Sequence, residues 1–299
     1  MMVGNKRDPL YSEYVFSDPR RVAIIGAGLL GGSFGLAIRK RFDRCEVVGV
    51  SRSAISREQA VSSGAVTSAT DEAGEACEGA DLVCVAIPVD GIAAAVVKAV
   101  KNCHADGMVI DLGSTKTTIV RAIDGAPLAA VKFVGTHPIA GSEKTGAANA
   151  RADLFVGKTV VITPGKNTPS GLVNRARGLW QSLGAKVMEM SPEEHDIAMA
   201  SVSHVPHLVA SMLAGTLRDQ TAGLVGTGWL DLTRVASGDP QMWAAICREN
   251  PSAISAELAR AGQWLSRLRA AIDSGDFASV ERMLVEAKVV RDHVASRQK

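Results

Sequence analysis

The run RVAIIGAGLLG at residues 21–31 decides the fold. Its first five residues are mostly β-branched and apolar without alternation, as a parallel strand covered on both faces requires. The strand reading ends at Gly26, and residues 29–41 follow with apolar positions at helical spacing. Gly26, Gly28 and Gly31 form G-x-G-x-x-G across that strand-to-helix junction. In such a turn the first glycine makes the bend. The second lets the backbone approach a pyrophosphate, and the third lets helix and strand pack closely. The free N–H groups of the helix then face the phosphates. Residues 26–31 therefore predict a dinucleotide cradle, with Gly26, Gly28, Leu29, Leu30 and Gly31 as cofactor-binding residues.

Further short apolar runs predict strands at 46–50 (EVVGV), 81–87 (DLVCVAI), 108–112 (MVIDL), 131–135 (VKFVG), 159–163 (TVVIT) and 186–190. Helical stretches separate most of them, which predicts a doubly wound α/β sheet. The pattern changes near residue 190. Ser191-Pro192-Glu193-Glu194 combines a cap, a proline for the first helical position and a glutamate for a capping box. No convincing strand follows. Residues 253–273 and 277–295 carry apolar residues at spacings of three and four. Glycine falls from 22 in the first 190 residues to 7 in the last 109, as expected when tight turns give way to helices. The organisation expected is a tail at 1–20, a nucleotide-binding domain at 21–190 and a helical domain at 191–299.

Composition excludes several classes. Lys and Arg number 33 against 31 Asp and Glu, for a net charge of +2. Neither part carries the basic surface that nucleic-acid binding needs. The five cysteines form no CxxC and their number is odd, which argues against a disulfide framework or zinc site and suits a reducing cytoplasm. No unbroken apolar stretch approaches about 18 residues, so no membrane span is expected.

Where a ribose-binding carboxylate would stand, about 20 residues past the cradle, the chain has Ser51-Arg52-Ser53. A hydroxyl and a guanidinium suit a 2′-phosphate. Ser51 and Arg52 are thus cofactor-binding candidates, and NADP is expected in preference to NAD. Ligands in such sheets lie at the carboxyl ends of the strands. That singles out Pro88, Ser114 and His137, although Ser114 could instead cap the following helix. His204 and His207 are three apart and share a helix face, with Pro206 between them expected to kink that helix. No acidic motif accompanies the pair, so no metal is expected. Arg234 offers a fork for a substrate carboxylate. Trp243 is either core or pocket wall.

Taken together, these runs resemble the prephenate/arogenate dehydrogenase family of tyrosine biosynthesis. The matching segments are GAGLLGGS (26–33), DLGSTK (111–116), GTHPIAGSEKTG (135–146), SPEEHD (191–196), VSHVPH (202–207) and LDLTRVASGDPQMW (230–243). The resemblance implies a Rossmann-type, doubly wound, mostly parallel α/β sheet followed by an all-helical dimerisation domain. It implies an NAD(P)-dependent oxidative decarboxylation of prephenate or arogenate by a cytoplasmic homodimer. His137 would be the catalytic histidine, and Ser114 would orient it and the substrate hydroxyl. Arg234 would hold a substrate carboxylate, with Glu143, His204, His207 and Trp243 lining the pocket. Glu143 and Asp231 would join an ionic network controlling access. Many NAD-using members carry Asp where this chain has Ser51. Two other readings stand beside this one. The first is a two-domain NADP-dependent dehydrogenase of the β-hydroxyacid type, against which counts the scarcity of lysine after residue 190 (Lys288 and Lys299). The second is a non-catalytic NADP-binding redox sensor, which would not need His137, Ser114 and Arg234 together.

Overall fold

The computed structural model describes residues 16–140 and 146–297. Eight strands form one sheet: β1 (Arg21–Ile25), β2 (Glu46–Val50), β3 (Ser68–Thr70), β4 (Leu82–Val85), β5 (Met108–Asp111), β6 (Phe133–Pro138), β7 (Thr159–Thr163) and β8 (Lys186–Glu189). Their spatial order is β3-β2-β1-β4-β5-β6-β7-β8. All pairs are parallel except β6 with β7. The mostly parallel sheet expected from the sequence is present.

Helices α1 (Leu29–Arg41), α2 (Ala54–Ser62), α3 (Ala73–Cys77), α4 (Val89–Ala99), α5 (Thr117–Asp124), α6 (Pro127–Ala130) and α7 (Ser170–Ser182) fill the connections. The strand order reverses between β1 and β4, and at such a switch point a ligand crevice opens beyond the carboxyl ends. Val22, Ile24, Leu82, Cys84, Met108 and Ile110 are fully buried at the sheet centre. Phe34, Phe155 and Trp180 stack tilted or edge-on in the same core, with ring centroids 5.3–5.5 Å apart.

Two strand expectations are corrected. β3 was not foreseen, because Ser-Ala-Thr is too short and too polar to stand out. β6 does not stop at Gly135. It runs on through His137, whose Cα pairs with that of Val161 in the antiparallel ladder. His137 is therefore held in a sheet rather than in a loop.

The strong start at Ser191 forms as read. Ser191 Oγ accepts the Glu194 N–H at 3.2 Å, and the Glu194 carboxylate accepts the Ser191 N–H at 2.9 Å. From there α8 (Pro192–Met199), a π-helical turn (Ala200–His204) and α9 (Val205–Gly215) run as one helix. The wide turn lies directly before Pro206, where a missing N–H breaks the regular ladder. This helix, Pro192–Gly215, is long and apolar enough to cross a membrane by length and composition. Averaged hydropathy passes that test where a count of unbroken apolar residues does not. Yet the helix packs on α5 and β7, and buries His195, Asp196, His204 and His207. Its polar residues thus belong to a site in the compact unit.

Then come α10 (Thr227–Thr233), a 3₁₀ turn at Arg234–Ser237 and α11 (Pro240–Glu249). Asp239 caps α11 by accepting the Gln241 N–H at 2.9 Å. Compactness groups the chain into Met1–Asn250 and Pro251–Lys299. Within the first, α8 and α11 pack on α5 and α4.

The second unit is a helix pair, α12 (Pro251–Asp273) and α13 (Phe277–Ser296). Gly275 turns the chain between them at φ +71°, and Asp276 caps α13 by accepting the Ser279 N–H at 3.0 Å. Leu284, Val285, Val289, Val290 and Val294 leave apolar surface exposed on α13.

Candidate active site

The glycine turn has the shape that the sequence predicts. Gly26 has φ +98°, and a Cβ there would stand 2.4 Å from the Ala86 carbonyl oxygen. A Cβ at Gly31 would stand 2.1 Å from the Gly26 carbonyl oxygen, so α1 can rest on the turn only without a side chain. At Gly28 a Cβ would meet nothing within 4 Å. The space above Gly28 is open, and no side chain caps the N–H groups of α1. This geometry fits a pyrophosphate. Leu29 and Leu30 are half-buried in the first turn of α1, and Pro88 is exposed at the start of α4.

After β2, Ser51 is half-buried and Arg52 exposed. Arg57 shapes this loop by donating to the carbonyls of Ser51 at 2.7 Å and Arg52 at 3.1 Å, and it pairs with Asp71 at 3.3 Å. Ser53 caps α2.

Beyond β5 and β6 lies a polar network. His137 Nδ1 is 2.8 Å from His195 Nε2, and His195 Nδ1 is 2.8 Å from Asp196 Oδ1. The two rings meet edge-on at 5.1 Å. Asp196 also accepts the main-chain N–H groups of Lys116 and Thr117, each at 2.8 Å. It thereby caps α5 from a position 80 residues along the chain. Ser114 does not take that role. It is half-buried in the turn after β5, with its main chain against the His204 ring.

Below the turn, Lys116 and Asp111 form a fully buried ion pair. Asp111 additionally accepts from the N–H groups of Gly113 at 2.9 Å and Thr136 at 3.0 Å. One carboxylate thus ties the end of β5 to the turn carrying Ser114 and to the residue before His137. Burial lowers the Lys116 pKa and the Asp111 charge opposes that shift.

A second cluster flanks the network. The Asn250 side chain donates to the Asp196 carbonyl at 2.7 Å, and its nitrogen is 3.4 Å from His204 Nδ1. His207 stacks on Trp243 with centroids 3.5 Å apart, and His204 meets the same indole edge-on at 6.3 Å. Gly238 makes room, since a Cβ there would lie 2.5 Å from the Trp243 indole nitrogen. His204 Nε2 and His207 Nδ1 are buried without a hydrogen-bond partner among the described residues. The 3₁₀ turn that carries Arg234 packs on α9, and the main chain of Val235, the next residue, contacts the His207 ring. Arg234 and Asp231 are exposed. Glu143 lies outside the described residues.

Burial, reinforced by His195, Lys116 and His204, pushes the His137 pKa well below the usual histidine value. His195 is likewise lowered by burial, against the pull of Asp196. His204 is pushed down from 6.5 to about 4, also by burial. Between these values the unfolded chain binds a proton that folded His204 refuses. Stability therefore falls as pH drops through 6.5 toward 4. Denaturant titration should show a loss of roughly 2 kcal/mol from His204 alone between pH 6.5 and about 5. A midpoint unchanged over that range would contradict the buried neutral state.

The sequence reading missed His195, Asp196, Asp111, Lys116 and Asn250. His195 and Asp196 lie in the SPEEHD run, where the capping signal was legible but their inward aim was not. Among the described residues no group of three histidine, cysteine or carboxylate side chains is arranged to hold a metal ion.

The model for the prephenate dehydrogenase nucleotide-binding domain matches residues 34–189, and that for its dimerization domain matches residues 191–286. The chain belongs to the prephenate dehydrogenase family. It is 32% identical to prephenate dehydrogenase of Bacillus subtilis, over 93% of this chain and 77% of that protein. It is 31% identical to cyclohexadienyl dehydrogenase of Zymomonas mobilis, over 86% and 90% of the two chains. Among solved structures, Aquifex aeolicus prephenate dehydrogenase in complex with hydroxyphenyl propionate and NAD+ superposes with a TM-score of 0.84. The two are 29% identical, and the match covers 92% of this chain and 98% of that one.

Proposed function

We propose that this member of the prephenate dehydrogenase family catalyses the NAD(P)-dependent oxidative decarboxylation of prephenate to 4-hydroxyphenylpyruvate, or of arogenate to tyrosine. The observation that carries this reading is a neutral, sheet-held His137 beyond the carboxyl edge of a sheet that also bears an open glycine cradle.

His137 acts as general base on the substrate's ring hydroxyl, and its depressed pKa keeps it unprotonated at neutral pH. Ser114, on the turn that Asp111 and Asp196 hold in place, orients that hydroxyl. Arg234 binds a substrate carboxylate through its fork. His204, His207 and Trp243 complete the pocket wall. A nicotinamide dinucleotide held there would supply the acceptor for the ring hydride. The substrate loses its ring carboxylate as carbon dioxide and becomes aromatic, so the protein's main tasks are alignment and proton removal. Gly26, Gly28, Leu29, Leu30, Gly31 and Pro88 form the cofactor side of the site.

In this reading residues 21–190 bind the nucleotide, while residues 191–299 supply the substrate wall and a homodimer contact. The match to a dimerization-domain model and the exposed apolar residues of α13 support the dimer. Five unpaired thiols suit a cytoplasmic setting. The test is formation of reduced nicotinamide that depends on prephenate or arogenate.

For the cofactor, Ser51 and Arg52 favour NADP. The loop is presented by Arg57, and no carboxylate stands at position 51 to repel a 2′-phosphate. Arg52→Ala is expected to raise the KM for NADP by about tenfold and leave the KM for NAD within about twofold. Equal effects on both cofactors would refute the 2′-phosphate contact.

A further inference from the structure

The chain His137–His195–Asp196 carries an inference that rests on His137 being the base. Asp196 Oδ1 and Oδ2 accept two main-chain N–H groups, and Oδ1 also faces His195 Nδ1 at 2.8 Å. Burial works to raise the Asp196 pKa, but the hydrogen bonds from His195, Thr117 and Lys116 outweigh it and hold the carboxyl below its usual range. An ionised carboxylate only accepts, so His195 Nδ1 carries the hydrogen. Burial keeps His195 neutral, which leaves Nε2 as a lone pair. His137 Nδ1, 2.8 Å away, must then donate. Neutral His137 has only that one ring hydrogen, so its Nε2 is bare.

We propose that His195, anchored by Asp196, is a positioning residue that fixes His137 in the tautomer whose unprotonated Nε2 takes the substrate's hydroxyl proton. In that step the substrate O–H bond breaks, the Nε2–H bond forms, and the electron pair stays on the substrate oxygen. The imidazolium that results keeps its Nδ1–H on His195 Nε2, and the Asp196 charge lies at the far end of the chain. This follows the logic by which a carboxylate holds a catalytic imidazole, extended by one ring. The surrounding charges divide in two. His195 itself, Lys116 at the start of α5 and His204 on the long helix disfavour a cation on His137, whereas Asp196 and Asp111 on β5 favour one on His195 against Lys116.

The first readout needs no variant. In the full-length protein at neutral pH, the ¹⁵N shifts of the His137 ring, assigned by their loss in His137→Asn, should show a protonated Nδ1 and a bare Nε2. The opposite tautomer would overturn the proposal. The second readout is kinetic. His195→Leu removes the acceptor and should lower kcat by about 10²-fold, with KM within about threefold. His195→Gln keeps an acceptor oxygen and should recover at least about tenfold of that loss. A His195→Leu kcat within about threefold of wild type, or equal losses in the Leu and Gln variants, would also overturn it. Should His195→Leu fail to fold, the wild-type shifts and the Gln variant still decide. Near-normal kcat in His137→Asn would instead remove the base assignment itself, so the two failures are distinguishable.

Discussion

Replacing His137 by asparagine is expected to lower kcat by at least about 10²-fold while leaving KM nearly unchanged. Asparagine matches the histidine's polarity and can still donate to His195 Nε2, so the network and the strand should survive. What it lacks is a lone pair basic enough to accept a proton. The effect must therefore fall on the chemical step and spare ground-state binding. The location sharpens this expectation. His137 sits in an eight-stranded sheet, paired with Val161, and Asp111 holds the residue before it. A local rearrangement that restored activity through another base is not available to so constrained a backbone. Steady-state kinetics at saturating cofactor check the prediction. Near-normal kcat would remove His137 from the mechanism.

The second large effect is structural. Gly31→Ala places a Cβ 2.1 Å from the Gly26 carbonyl oxygen, a distance real atoms do not tolerate. The helix must lift from the turn, and both are backbone, so neither yields cheaply. A cost of at least about 2–3 kcal/mol is expected, which should lower Tm by roughly 3–5 °C. Lifting α1 also moves its N–H groups off the phosphate position, so dinucleotide affinity should fall at least about tenfold. Gly28→Ala separates packing from ligand approach. Its Cβ would meet nothing within 4 Å, so Tm should hardly change while dinucleotide binding weakens. Calorimetry and cofactor titration on the two variants read both quantities. If Gly31→Ala melted with the wild type, the close packing of α1 on the turn would be disproved.

The sequence made local features legible and distant pairings illegible. The cradle could be read because its three glycines, the apolar run before them and the helix after them lie within 21 residues. The start of α8 was equally clear, since a capping box is written in four consecutive residues. The cap of α5 was not, because its carboxylate comes from Asp196, 80 positions away. For the same reason the position of Ser114 reads as a cap, and Lys116, although inside the DLGSTK run, takes no role from the sequence. The extension of β6 through His137 escaped because its antiparallel partner, β7, follows a long connection. His195 and Asp196 escaped because sequence spacing shows which residues share a helix face, and not which face turns toward the sheet. Arg57, which holds the loop of Ser51 and Arg52 by its carbonyls, left no trace in composition or period.

The most direct measurement is the absorbance of reduced nicotinamide in the purified protein supplied with NADP or NAD and with prephenate or arogenate. Reduction is predicted to depend on at least one of the two cyclohexadienes, with one carbon dioxide released per cofactor reduced and with loss of the signal in His137→Asn. Absence of reduction with both substrates and both cofactors would contradict the account.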